Sequence, residues 1–148
     1  MDPIRALAHV HGHLGWLAAA ILVHPAVILM RARRTPRART PALATGIVTA
    51  QAALGAWIYP AYRERVRARL FQTEPHVGWL FERKEHLAFG LVIVAWIGLV
   101  LVLTARSRDD EEERARLGRT AGLAYVVAAG LAVTVAILGT VVGIHAPM

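Results

Sequence analysis

The 148-residue sequence contains no cysteine, so disulfide bonds, thiolate metal sites and covalent c-type haem attachment are excluded. Lysine is almost absent as well, because Lys84 is the only lysine among the 17 Lys and Arg residues. The chain also lacks a His-Glu-x-x-His pattern and a repeated Glu-x-x-His pair, the usual templates of hydrolytic zinc and di-iron sites. No hydrolase or transferase motif occurs. Any metal or cofactor would therefore depend on histidine, carboxylate or methionine side chains.

Apolar residues, by contrast, make up 56% of the sequence and include four long segments. These cover residues 9–30, 41–59, 86–105 and 121–144, each close to the ~20 residues that cross a ~30 Å hydrocarbon core. Because lipid offers the backbone no hydrogen-bond partners, each segment should be a helix. We therefore expect an all-α polytopic membrane protein, with residues 1–148 forming a single domain built as an antiparallel bundle of four transmembrane helices.

The segment between the second and third spans is longer than a turn requires. Apolar side chains recur in it every four residues, at Tyr62, Val66 and Leu70. Because arginines occupy other faces, this pattern predicts a short interfacial helix on the membrane surface. Thr73 and Pro75 have the order of a helix cap and a first turn, so the third helix should begin near Pro75. The acidic run in the next loop predicts that the fourth helix begins near Asp110.

The basic residues flank the spans, and their distribution sets an expected orientation. The loops after spans one and three hold ten arginines, whereas the opposite side holds seven basic residues. Under the positive-inside rule, this places both termini on the periplasmic side of a bacterial inner membrane. The net charge of +7 is explained by these flanking residues, so we expect a lipid bilayer around the protein and no nucleic-acid partner.

Six of the seven histidines lie at or near the ends of the spans, and alternating helix directions bring all six to one face. They are His9, His11, His13, His76, His86 and His145. In the first helix, the spacing places His9, His13 and His24 on one side, while His11 points away from it. Imidazoles at a membrane are candidates for metal, haem or proton chemistry.

Two kinds of cofactor fit these residue types. A b-type haem needs two facing imidazoles, which His13 would supply together with His86 or His145. The alternative is a zinc, copper or iron ion held by imidazoles and carboxylates. Its ligands would be His9, His13, Glu82, Glu85 and His86. The spacing does not choose between these sites, and it also allows the histidines to be interfacial anchors that bind no cofactor.

His24 lies several turns inside the first span and is followed by Pro25, which should kink the helix. If neighbouring spans run in opposite directions, counting residues from the membrane surface puts Thr45, Thr49 and Tyr125 at the same depth in the membrane as His24. No second histidine occurs at that depth, so a second bis-histidine haem is excluded. His24 would then form a polar relay with Tyr125 and Thr49 that carries protons or contacts a quinone. A hydrogen-bonded histidine at a kink is the purely structural alternative.

The segment His9–Trp16, His-Val-His-Gly-His-Leu-Gly-Trp, resembles the opening helix of small proteins related to cytochrome oxidase subunit I. The four-span size is similar to that of small b-type membrane cytochromes, and Phe81–Ala88 resembles a segment of bacterial four-span proteins. The resemblance implies that His9 or His13 ligates haem.

We therefore expect a membrane-embedded protein that binds one b-type haem and transfers electrons, with quinone as a candidate partner. The alternative function is a non-enzymatic accessory or assembly subunit of a membrane complex. Such a subunit would contact other membrane subunits or a second copy of itself, with a metal ion at the outer-face His and Glu residues. Whether the chain is a redox enzyme stays open at this point.

Overall fold

A computed structural model describes residues 3–31 and 37–145 of the chain. Within these ranges the protein is helical apart from short turns, and it contains no strand. The helices are α1 (Pro3–Arg31), α2 (Arg39–Tyr62), a π-helical turn (Arg63–Arg67), α3 (Ala68–Thr73), α4 (Pro75–Arg106) and α5 (Glu111–His145). The prediction of an all-helical protein is confirmed.

Four helical stretches are long and apolar enough to cross a membrane. They are Ala6–Arg31, Arg39–Thr73, Pro75–Arg106 and Glu111–His145. Large apolar side chains are exposed on each of them, as at Val23, Leu43, Ile93 and Leu123. An apolar exterior of this extent is unusual for a protein in water and suits lipid. The prediction of four apolar spans is confirmed, and each helix extends beyond the apolar run that predicted it.

Small side chains let the helices pack closely. α1 packs against α2 and α5, and α4 packs against α5 and α2. Much of the buried core is alanine, as at Ala18, Ala95 and Ala128. The indole N–H of Trp16 donates a hydrogen bond to the hydroxyl of Thr140 at 3.3 Å. Trp16, in the middle of α1, thus lies beside the late part of α5, whereas a Cβ on Gly122, early in α5, would meet Met30 at the end of α1. These two helices therefore run in opposite directions.

The segment expected to form a separate surface helix is instead a continuation of α2. The backbone passes through the π-helical turn into α3 without leaving the right-handed helical region. Val66 and Leu70 are buried in a cluster with apolar side chains of α4 and α5. Because the protein itself covers this apolar stripe, the segment packs against the other helices. We call residues 63–73 the α2 extension.

Local sequence signals mark the starts of α4 and α5. Pro75 is the first residue of α4, as predicted. Thr73 does not cap that helix, because it still belongs to α3 and its hydroxyl donates to a backbone carbonyl one turn earlier, while Glu74 occupies the capping position. At the next helix, the carboxylate of Asp110 accepts a hydrogen bond from the backbone N–H of Glu112 at 3.0 Å. The predicted start near Asp110 is therefore confirmed.

Two buried hydroxyl groups connect α2, α4 and α5. The hydroxyl of Tyr125 lies 2.8 Å from Oγ1 of Thr45 and donates to the carbonyl of Pro41 at 3.1 Å. Oγ1 of Thr45 also lies 3.3 Å from the carbonyl oxygen of Ala95. The tyrosine ring fits because Gly98 leaves space for it: a Cβ there would lie 2.8 Å from the ring. These bonds satisfy polar groups that would otherwise be costly to bury.

Candidate functional site

The histidines of α1 lie on two sides of the helix. His9, His13 and His24 are exposed, whereas His11 is half-buried and faces α2. His11 precedes the buried Ala18 by seven residues, which places both on the same side of the helix. His11 does lie opposite the other three histidines, as the spacing predicted. The side that faces the interior, however, is that of His11.

The ring of His11 lies over a glycine of α2. Its two ring nitrogens are each 3.4 Å from Nε2 of Gln51, so the amide can pair with either of them. A Cβ on Gly55 would lie 2.7 Å from Cε1 of the imidazole, closer than real Cβ atoms approach other atoms. Gly55 therefore provides the space that the ring occupies, and Gln51 provides its polar neighbour.

A charged pair lies close to this imidazole. Nζ of Lys84 is 2.5 Å from Oε1 of Glu85, and the two side chains are only 14% and 29% exposed. Lys84 extends along α5, where its Cδ lies 3.7 Å from the position of a Cβ on Gly139. Both charges are near enough to act electrostatically on His11. Glu85 also acts on Tyr62 of α2.

We call this set of polar residues the end cluster. Its members are His11, Gln51, Tyr62, Lys84 and Glu85. Charges in a membrane-spanning chain are expensive, even when they are paired, so such groups are functional-site candidates by default. The cluster combines an imidazole, an amide, a phenol, an ammonium and a carboxylate. It can therefore donate and accept hydrogen bonds and exchange protons with a polar ligand.

Stacked aromatic rings lie next to the end cluster. The ring of Phe81 stacks on Tyr62 at a centroid distance of 5.4 Å and on Tyr59 at 6.1 Å. The ammonium of Lys84 lies 5.2 Å from the centre of the Phe81 ring. This is within the range of a cation–π interaction, which helps to hold the charge in an apolar setting. Phe81 is only 2% exposed, so these rings pack against one another and join the part of α4 that carries Lys84 to α2.

Glu82 and His86 of α4, two of the predicted ligands, make other contacts in the structure. Glu82 forms an ion pair with Arg67 of the α2 extension. His86 is exposed, and its Nδ1 donates a hydrogen bond to the backbone carbonyl of Glu82 at 2.7 Å. The cationic partner of Glu82 is therefore Arg67 of the α2 extension, and the carboxylate of Glu82 does not contact an imidazole. The reason is that the extension remains packed on α4.

His145 lies at the turn between α3 and α4. Its Nδ1 donates to the carbonyl of Val141 at 2.9 Å, and its Nε2 lies 3.8 Å from Oε2 of Glu74. Nε2 of His76 is also 3.8 Å from that oxygen. Glu74 therefore lies between imidazoles of α4 and α5, at the same end of the molecule as the end cluster.

The predicted metal ligands are not brought together. Among residues 3–31 and 37–145, no group of three or more His, Asp or Glu side chains is placed to hold a metal ion. His9, His13 and His86 are all exposed. The two carboxylates of the predicted set, Glu82 and Glu85, already have cationic partners.

The predicted polar relay is not connected either. Thr49 donates to the carbonyl of Thr45 at 2.8 Å and accepts a hydrogen bond from Trp96 at 3.1 Å. Thr45 in turn contacts Tyr125, so these hydroxyl groups do lie close together. His24, however, is on the exposed side of α1 and takes no part in this network. Residue counting matched these residues by depth but not by the side of the helix.

Sequence reasoning missed four residues of the end cluster, namely His11, Gln51, Tyr62 and Lys84. All of them except Tyr62 nevertheless have a signal in the sequence. Lys84 is the only lysine, and Gln51 is the only amide side chain in the second predicted span, residues 41–59. His11 continues the alanine face of α1 that packs against the neighbouring helices.

Comparisons of the chain with protein families, curated proteins and solved structures find no match. Helical membrane folds of this size serve many functions, so the fold alone does not indicate one. The function has to be argued from the chemistry of the end cluster.

Proposed function

We propose that this protein binds the head group of a quinone at the end cluster and exchanges protons with it, as part of membrane electron transfer. The observation that carries this proposal is the Lys84–Glu85 pair beside His11. Burying an ion pair costs desolvation energy that apolar residues would not cost. A chain whose exterior is apolar would keep such a pair where it serves binding or proton transfer.

The chemistry of a quinone head matches these side chains. Its carbonyl oxygens accept hydrogen bonds, which the ammonium of Lys84, the imidazole of His11 and the amide of Gln51 can donate. When a membrane redox partner supplies two electrons, a quinone takes up two protons to become the quinol, and an imidazole and a carboxylic acid are groups that relay such protons. The ring of Tyr62 offers a stacking surface for the flat head group. The apolar tail of the quinone would remain in lipid.

In this proposal, the end cluster faces the periplasmic side of a bacterial inner membrane. The arginine distribution supports this orientation, because ten arginines flank the opposite ends of the helices and seven basic residues flank the cluster's ends. Both termini then lie on the same side as the cluster. A quinone would reach the site from the outer half of the bilayer.

Titration of the detergent-purified protein with a short-chain quinone tests the proposal. His11→Ala and Gln51→Ala each remove a hydrogen-bonding group, so we expect each to weaken binding about tenfold. His9→Ala is the matched control, because His9 lies on the same helix as His11 but is exposed. We expect this control to bind quinone as the unchanged protein does. Absence of saturable binding, or equal weakening by His9→Ala, contradicts the proposal.

A b-type haem is a second candidate, supported by the hydrogen bond of His86. Because Nδ1 donates to a carbonyl of its own helix, Nε2 of the neutral ring is unprotonated and can ligate iron. An absorption spectrum of the purified protein, oxidised and then reduced with dithionite, tests this function. A Soret band that sharpens on reduction and is lost in His86→Ala, but not in His76→Ala, supports it. A protein that remains colourless after haem supplementation contradicts the haem-binding function.

The exposed imidazoles of His9 and His13 favour one further function, that of an accessory or assembly subunit. In that function they would contact other membrane subunits or bind a metal ion. Purification from membranes in mild detergent, with metal analysis of the product, tests it. Stoichiometric partner chains or bound zinc, copper or iron would support this function, and a protein that purifies alone and metal-free would not.

A further inference from the structure

Three histidines form an exposed stripe along α1. His9, His13 and His24 lie within about 60° of one another around the helix axis, given 3.6 residues per turn, and all three are exposed. We call them the histidine stripe. The face of α1 that carries the buried Ala18 and Leu22 lies on the opposite side and packs against the other helices. In the part of the chain that the structure describes, no helix covers the stripe.

Two of these imidazoles lie at hydrocarbon depth when α1 is centred in a bilayer. The apolar span runs from Ala6 to Arg31, so His13 and His24 are each about 8 Å from its midpoint at 1.5 Å per residue. The hydrocarbon core reaches ~15 Å to either side of its centre. An imidazole that faces lipid at this depth has a donor and an acceptor without partners, which is costly. Something other than lipid should therefore cover the stripe.

We propose that the histidine stripe is a dimer interface, at which α1 packs in parallel against α1 of a second copy of this chain. A neutral imidazole carries one N–H donor and one acceptor nitrogen, so two imidazoles can hydrogen-bond to each other. A two-fold axis along the membrane normal places each histidine opposite its own copy at the same depth. One symmetric contact thus provides partners for all three histidines. A different protein would need polar groups at the same three depths.

The residues around the stripe suit a close approach of two helices. Ala20 lies between His13 and His24 on the same side of α1 and is exposed. Small residues at such positions let transmembrane helices come close enough for side chains to pair. His11 faces the opposite side of α1, so a dimer leaves the end cluster accessible. The proposed dimer is therefore independent of quinone binding.

Cysteine cross-linking in native membranes tests the interface. The chain has no cysteine, so Ala20→Cys introduces a single thiol on the stripe. Ile93→Cys is the matched control, because it is an exposed apolar position on α4. We expect mild oxidation to convert most Ala20→Cys chains to a covalent dimer and to leave Ile93→Cys monomeric. No cross-link at Ala20→Cys, or a cross-link to a chain of different mass, overturns the proposal.

Removing the imidazoles of the histidine stripe tests whether they hold the two copies together or merely lie near the cross-linked position. In the Ala20→Cys background, His13→Leu with His24→Leu keeps the surface apolar and should lower the cross-link yield at least tenfold. His76→Leu changes an exposed histidine away from the stripe and should leave the yield unchanged. All of these positions are exposed, so folding is expected to persist, and the thermal unfolding midpoint checks it. An unchanged yield in the double variant of a folded protein contradicts the pairing of histidines.

Discussion

The ring of His11 occupies the volume that a larger residue at position 55 would fill. That contact also holds the imidazole within 3.4 Å of Gln51. Because protein interiors are close-packed, the gap between α1 and α2 has room for either a ring on one helix or a methyl group on the other, but not for both. Gly55 therefore contributes to the candidate site by leaving the space that the ring of His11 occupies.

Gly55→Ala should displace His11 and weaken the site. A Cβ at 2.7 Å from the ring forces the ring to move, and because the imidazole is the end of a rotatable side chain, we expect this to cost less than about 1 kcal/mol of stability. The thermal unfolding midpoint in detergent should therefore fall only slightly, while quinone binding should weaken clearly. Gly46→Ala is the matched control on the same helix, because a Cβ there meets nothing within 4 Å. Equal effects of the two substitutions would show that the His11 contact is unimportant.

The Lys84–Glu85 pair makes a second prediction, because each charge compensates the other in a poorly solvated place. Lys84→Met and Glu85→Gln each leave one charge without its partner, so each should lower stability by about 1–3 kcal/mol, below the loss known for fully buried pairs. The combined variant should lose less than the two single variants together. Thermal unfolding of all four proteins measures this coupling. Strict additivity would mean that the pair does not interact.

At the scale of single residues, the sequence predicts which histidines share a side of α1 but not which side faces inward. Spacing alone places His11 opposite His9 and His13. The polar stripe of His9, His13 and His24 does not reveal the inner side, because polar side chains of membrane helices usually face the bundle interior, whereas these three are exposed. The structure resolves this through packing, since the buried face follows Ala18 and Leu22. The paired charges were likewise missed because neighbouring residues on a helix usually point apart.

At the scale of helices, the α2 extension departs most from the sequence prediction. Pro60 lies inside α2, although proline lacks a backbone N–H and usually ends or kinks a helix. The second span was accordingly expected to end at Tyr59. Tertiary packing outweighs that local preference here, because Val66 and Leu70 are buried beyond the proline. The starts of α4 and α5 were predictable, since Pro75 and Asp110 act through local backbone chemistry.

Leu70→Ala should loosen the α2 extension. Leu70 is 1% exposed, and truncating a fully buried leucine typically costs 2–5 kcal/mol. Because the extension carries arginines, its opening can be followed by cleavage with trypsin. We expect faster cleavage between residues 63 and 73 in this variant than in Gln72→Ala, whose side chain is exposed. Equal cleavage rates would indicate that the burial of Leu70 does not hold the extension in place.

At the scale of the whole molecule, the number of spans follows directly from the length of the apolar runs. The order in which the helices pack does not, because alanine and glycine line several faces of each helix and make them alike. Contacts of α1 with α2 and α5 therefore emerge only from the structure. The alternating directions of the spans predicted that the histidines gather at one end of the molecule. The structure adds which polar side chains contact each other there. Their orientation relative to the membrane depends on the flanking charges.

Single-cysteine labelling in intact cells tests that orientation. Thr73 is the last residue of α3, at the same end of the molecule as the end cluster, and Ser107 lies in the turn between α4 and α5, at the opposite end. Both positions are exposed, and the chain has no other thiol. The excess of arginines near Ser107 predicts that a membrane-impermeant maleimide labels Thr73→Cys directly and labels Ser107→Cys only after permeabilisation. The reverse pattern would place the end cluster, and any quinone bound there, at the cytoplasmic face.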